Sequence, residues 1–182
     1  MFVIILGLYV KQELSVDDFQ ENKDRIFLIT HDNQTSFGNP VAQYVKDNTP
    51  EVESFVRVHS RDVALGQKGD NKIKAKALFA DSTFFRIFSY KLIEGNPAQV
   101  LEARKSVVVT RSFATKTFGA ENPMGKSLFI SDDEHTITGI MEDIPPNTIL
   151  PDADFVVNYN SITLFWGNLI LETPNNFGFT MF

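Results

Sequence analysis

Between residues 106 and 148 the chain changes its hydrophobic period twice, and that succession leaves few folds open. The sequence SVVVTRSFATKTFGAENPMGKSLFI begins at Ser106, and HTITGIMEDIPPNT fills 135–148. Val107, Val108 and Val109 read as a strand. Phe113, Ala114 and Phe118 then fall on one side of a short helix, which Gly119 stops because glycine tolerates the left-handed backbone of a helix end. A turn around Pro123 and Gly125 leads into two strands, at 127–131 and 135–140, closed as a hairpin with Asp132, Asp133 and Glu134 in its turn.

The preceding residues give a similar alternation. Ser15 with Asp18 three positions on is a capping-box pattern, so a short helix is expected at 16–24, followed by a strand at 26–30. Asn39-Pro40 sets a capping side chain before a proline at the first helical position, and Val41, Tyr44 and Val45 form the stripe that helix would bury. Thr49-Pro50 ends it. Short strands are expected at 52–58 and 63–66, a turn at 67–71, and a strand to Phe79 with Lys72, Lys74 and Lys76 on one face and Ile73, Ala75, Ala77 and Phe79 on the other. Asp81 or Ser82 can cap a short helix in which Phe84, Phe85 and Phe88 cover an apolar arc, and with Leu92 and Ile93 these rings are expected to glue it to the sheet. Pro145 and Pro146 lack amide donors and forbid a continuing central strand. A last strand is expected at 156–159.

The 182 residues are 43% hydrophobic, enough for one sizeable core or two small lobes. A formal net charge of −6 speaks against a nucleic-acid partner, which would demand a basic stripe. The lysine row 72/74/76 reads as the solvated face of a strand. The chain has no cysteine, so disulfides and thiolate metal sites are excluded.

Catalytic chemistry finds few footholds. Asp132, Asp133 and Glu134 beside His135 offer oxygen donors and an imidazole, but consecutive residues at a hairpin tip point apart, and no spaced second ligand completes a shell. His31 and His59 stand alone and read as satisfied or solvent-facing. Phosphate-loop, GxGxxG and G-x-S-x-G patterns are missing. No catalytic, cofactor-binding or metal residue is therefore assigned.

Residues 2–10 (FVIILGLYV) are an apolar run too short to span a bilayer, which takes about 20 residues. They lack the basic start and small-residue cleavage site of a secretory signal. They read as the outer end of a transmembrane helix, giving a juxtamembrane segment at 1–14 and a core domain at 15–182 that is incomplete at its C-terminal end.

Four blocks in order, ADSTFFRIFSYKLIEGNP at 80–97, VVVTRSFATKTFG at 107–119, ENPMGKSL at 121–128 and TITGIMEDIPPNT at 136–148, resemble the MacB-like periplasmic core domain of FtsX/MacB-class ABC transporter permeases. The resemblance runs from about Glu13 to about Asn160. The expected architecture is α+β: mixed small sheets with helices packed on one side, arranged as a porter-like pair of βαβ-type lobes, with an additional insert beginning after Asp152. The resemblance implies a non-enzymatic domain in the periplasm, anchored in the inner membrane, that transmits ATP-driven movement for export, lipoprotein release or cell-wall hydrolase control. Implied partners are a cytoplasmic ABC ATPase, a second permease subunit as homodimer or heterodimer, and a periplasmic adaptor or envelope protein. A free-standing ligand-binding module is the alternative, against which the apolar N-terminus counts. The poverty of paired acid–base residues counts against a secreted hydrolase.

Overall fold

The computed structural model describes residues 15–174 and 179–182. The expected helix end at 1–14 lies outside them, and among the described residues no helix is long and apolar enough to cross a membrane. In chain order the elements are β1 (Ser36–Phe37), α1 (Pro40–Asn48), β2 (Arg57–Leu65), β3 (Ile73–Ala80), α2 (Phe84–Ile87), β4 (Leu92–Glu94), β5 (Ser106–Thr110), α3 (Arg111–Phe118), β6 (Ser127–Ile130), β7 (Asp133–Met141), β8 (Phe155–Asn158), α4 (Thr163–Trp166) and β9 (Phe179–Met181). Short 3-10 turns occupy Lys23–Arg25, Tyr159–Ile162 and Asn168–Leu171.

The strands form one mixed sheet in the order β1-β9-β2-β3-β8-β5-β7-β4, with β6 bridging β2 and β7. Two pairings are parallel, β3 with β8 and β5 with β7. Parallel neighbours need a crossover, and α3 lies in the one that joins β5 to β7. The α+β class and its βαβ-type units are those expected. The helices, expected on one side, are divided between the faces. The reason lies in the central strands: β5 and β8 are buried throughout, so alternate residues feed two cores. Val107, Val109, Phe155 and Val157 face the core closed by Phe113 and Ala114 of α3. Val108, Val156 and Leu78 face the one closed by Phe84 and Phe85 of α2, with Phe88 just beyond it.

Several local expectations hold: β5, α3, the stop at Gly119 with φ +63°, and the start of α1 at Pro40. The β6–β7 hairpin turns on Ser131 and Asp132, both at positive φ (50° and 71°), the geometry that matches strand twist in a two-residue turn. Asp133 and Glu134 therefore belong to β7 and not to the turn.

Others are corrected. No α-helix forms at 16–24, where only the 3-10 turn at Lys23–Arg25 begins, because Asp17 sits at φ +56° and its carboxylate is engaged elsewhere. Among the described residues, the segment at 26–30 pairs with no strand, and Phe27 is 74% exposed. The strands expected at 52–58 and 63–66 are one continuous β2 that starts at Arg57, while Val56 exchanges both backbone hydrogen bonds with Phe182. Tyr44 of α1 is exposed, and Ala42 is the residue that helix buries. Thr83, not Asp81 or Ser82, precedes α2, since Asp81 is taken by Arg57. The residues after Asp152 return to the middle of the sheet as β8, so they belong to the core itself.

Candidate functional site

The structure scatters the residues that sequence singled out. Asp132 pairs with Lys72 (2.6 Å) and Asp133 with Lys105 (2.7 Å), Glu134 accepts from the Ser127 hydroxyl, and His135 points inward and is buried. Alternation along β7 turns Glu134 away from Asp133 and His135, which share a face and lie 3.9 Å apart, carboxylate to Nδ1. No group of three metal-ligating side chains is assembled among the described residues. His31 lies on the surface, 3.5 Å from Asp32, and the His59 ring meets Trp166 edge to face. Of the lysine row, Lys72 and Lys76 are matched by Asp132 and Asp152. A groove of about 440 Å³ between α3 and the β2–β3 hairpin is floored by Leu65, Phe113 and Leu128 and gathers no nucleophile with a base.

What the fold does assemble is a junction between the segment at 15–21 and two distant loops. The Asp17 amide donates to the Asn147 carbonyl (2.9 Å), and its carboxylate accepts from the Thr148 hydroxyl and from the Ile149 amide (3.0 Å). Asn147 Nδ2 returns a bond to the Ser15 carbonyl (3.0 Å). Two prolines directly before Asn147 stiffen this loop, which makes it a firm receptor for Asp17. Since the Thr148 hydrogen is committed to Asp17, the Tyr90 hydroxyl, 2.7 Å away, donates to Thr148 Oγ1. The result is a relay of hydroxyls, Tyr90 to Thr148 to Asp17.

Tyr90 carries the contact into the core. Its ring stacks on Phe84 of α2 (5.4 Å between centroids) and receives Phe19 edge-on at 5.3 Å. Burial pushes its phenol pKa up to about 12, and the nearby Asp17 carboxylate acts in the same direction. Beside it, buried Gln20 accepts the Ser89 amide at Oε1 (2.6 Å), and the Glu21 amide donates to the Ser89 hydroxyl (2.9 Å). Polar bonds to two loops and one aromatic contact thus fix the segment without a helix.

A second polar knot ties β2 to the start of α1 and to the 3-10 turns that follow β8. The Arg57 guanidinium binds Asp81 at both oxygens (2.7 and 2.9 Å) and lies 4.3 Å from the centre of the Tyr159 ring. Burial works against the Arg57 charge, yet Asp81 outweighs it and holds the pKa above its usual value. Tyr159 donates to Asn39 Oδ1, and Asn39 Nδ2 donates to the Ile170 carbonyl (2.7 Å). The side chain read as a helix cap is thus spent on the core, since α1 receives no side-chain bond from Asn39.

Local patterns carried no sign of the Asp17–Thr148 pairing. PPNT reads as a turn and Ser15–Asp18 as a cap, and neither motif names its partner.

The fold is shared by solved structures. A domain of a putative permease from Porphyromonas gingivalis superposes with TM-score 0.66 at 20% identity, covering 81% of this chain and 62% of that one, so the chain spans less than two thirds of its length. The periplasmic region of MacB from Actinobacillus actinomycetemcomitans gives 0.59 at 15% identity, covering 88% of this chain and 77% of that one. The extracellular domain of the noncanonic ABC-type transporter YknZ from Gram-positive bacteria gives 0.58 at 13%, with 86% and 80% covered. No curated protein matches the chain. Residues 1–176 match the MacB-like periplasmic core domain, the order of blocks and the sheet agree with it, and the chain belongs to that family.

Proposed function

We propose that this chain is the non-catalytic extracytoplasmic domain of an ABC transporter permease, and that it passes ATP-driven movement from the membrane to a partner or cargo in the periplasm. Family membership supports the setting, and the Asp17–Thr148–Tyr90 junction carries the mechanism. A domain that relays displacement needs a stiff attachment, because a flexible tether absorbs the motion before it reaches the core. Here the chain is bound to the core within the first few described residues, and no glycine or proline lies between Lys11 and Ile26.

In this reading the apolar run at 2–10 is the outer end of a transmembrane helix of the inner membrane, and residues 1–14 form its exit. ATP is hydrolysed by a separate or fused cytoplasmic ATPase. A second permease subunit completes the transporter, and an adaptor or envelope protein receives the movement.

The test is a flexible Gly-Ser insertion between Lys11 and Ser15 in the full permease. The expected result is normal expression and near-normal ATP hydrolysis, with the extracytoplasmic activity lost. Full activity with the insertion in place contradicts stiff coupling.

A further inference from the structure

The ring of His135 on β7 is 1% exposed and touches two other segments. Its Nδ1 lies 3.1 Å from the Asp133 backbone carbonyl, and its Nε2 lies 3.0 Å from Ser161 Oγ in the 3-10 turn that follows β8. Ser161 Oγ is in turn 2.8 Å from the Arg104 carbonyl, at the turn before β5. Three contacts in a row therefore need three hydrogens. Both carbonyls only accept. A neutral imidazole brings one hydrogen and the serine hydroxyl brings one, so the neutral chain is one hydrogen short; an imidazolium brings two and completes it.

We propose that His135 is a proton-operated switch for the Ser161 hydroxyl. With the ring neutral, Nδ1–H donates to the Asp133 carbonyl, and the bare Nε2 competes with the Arg104 carbonyl for the single Ser161 hydrogen. When a proton from solvent arrives at Nε2, that nitrogen becomes a donor, Ser161 Oγ accepts from it, and the hydroxyl hydrogen passes wholly to the Arg104 carbonyl. The bond between hairpin and cover reverses direction, and the cover gains an undivided link to the turn at 103–106. That cover, residues 159–171, carries the exposed side chains Leu164, Trp166 and Leu169. The switch thus ties the anchoring of an apolar surface to the pH of the medium.

The charged groups that face the ring set where it operates. Burial holds the pKa of His135 below its usual value; the Asp133 carbonyl and the Asp133 carboxylate, 3.9 Å from Nδ1, oppose this, and Lys105 adds to the depression. Lys105 is itself paired with that carboxylate at 2.7 Å. The Arg104 guanidinium is occupied by Thr163 Oγ1 (2.6 Å) and presents only its carbonyl to this chain. The switch is a property of these residues alone and stands whether or not the domain relays movement.

Titration of His135 by ring 15N and 13C NMR, in the 182-residue protein and in Ser161→Ala, tests it. Ser161→Ala removes the oxygen that accepts from the imidazolium, so the protonation constant is expected to fall about ten-fold. An unchanged or raised constant overturns the proposal, because the hydroxyl would then serve the neutral ring. Should the variant not fold, the unmodified protein decides through its neutral tautomer. Nitrogen shifts are expected to place the hydrogen on Nδ1; a hydrogen on Nε2 completes the serine contacts without any proton uptake and overturns the switch.

Discussion

Asp17 and Thr148 stand 131 positions apart in the chain, yet one carboxylate gathers both the Thr148 hydroxyl and the neighbouring Ile149 amide. The contact replaces the local helix that Ser15 and Asp18 would otherwise start, and it binds the leading segment to the loop before β8, which is a central strand. Truncating Asp17 leaves a hydroxyl and an amide without their acceptor. Asp17→Ala is expected to cost about 1–3 kcal/mol, read from urea unfolding, because hydrogen bonds to a charged group are worth more than neutral ones. An unchanged urea midpoint shows that water replaces the carboxylate without loss.

Tyr90 gives the same junction a pH signature. An unfolded tyrosine ionises near 10, and in the folded protein burial pushes Tyr90 up to about 12. The folded phenol holds its proton more tightly, so the Tyr90 contribution is fully present below about pH 10 and is lost as the pH rises towards 12. Burial raises Tyr159 further still, so ultraviolet absorbance should show two tyrosines ionising late, Tyr90 the earlier of them. Tyr90→Phe is expected to remove the step near pH 12 and leave the later one; persistence of the step near pH 12 in the variant assigns it to another phenol.

Phe88 touches Phe84, Tyr90 and Phe182 with ring separations of 5.3, 5.9 and 5.2 Å, and Phe85 packs on Phe84 at 5.0 Å. Both are buried. Removing either ring as alanine is expected to cost about 3–5 kcal/mol. Calorimetry of the two variants checks this, and an unshifted thermal midpoint in both contradicts the packing described.

Arg57 and Asp81 are each largely buried, at 17% and 15% side-chain exposure, so breaking the pair leaves an unmatched charge. Arg57→Ala is expected to destabilise by about 3–5 kcal/mol, and Arg57→Met with Asp81→Leu by much less, because the double change removes both charges together. Chemical denaturation of both variants decides it, and equal losses count against the pair as the cause.

Much of the fold is legible in the residues. The valines 107–109, the arc Phe113–Ala114–Phe118, the stop at Gly119 and the Asn39-Pro40 start are local signals, and local forces form those elements. The reading fails where a distant partner decides. Residues 16–24 carry a helix signature that Asn147, Thr148 and Ile149 override. The segment at 26–30 has strand composition but no neighbour to pair with among the described residues, and Asn39 turns from a cap into a buried strut because Tyr159 and Ile170 reach it first. The helices divide between two faces because three consecutive valines, alternating along β5, feed a core on each side.

Stiff seating of the leading segment is the claim on which the proposed relay stands, and amide hydrogen exchange at Asp17 and Ile149 measures it directly. Both amides donate inside the junction, at 2.9 Å to Asn147 and 3.0 Å to the Asp17 carboxylate. If the segment moves with the core, both should exchange many-fold more slowly than in an unfolded chain, and Asp17→Ala should release Ile149. Exchange of both amides at unfolded-chain rates in the unmodified protein means that the segment swings free and that the attachment transmits nothing.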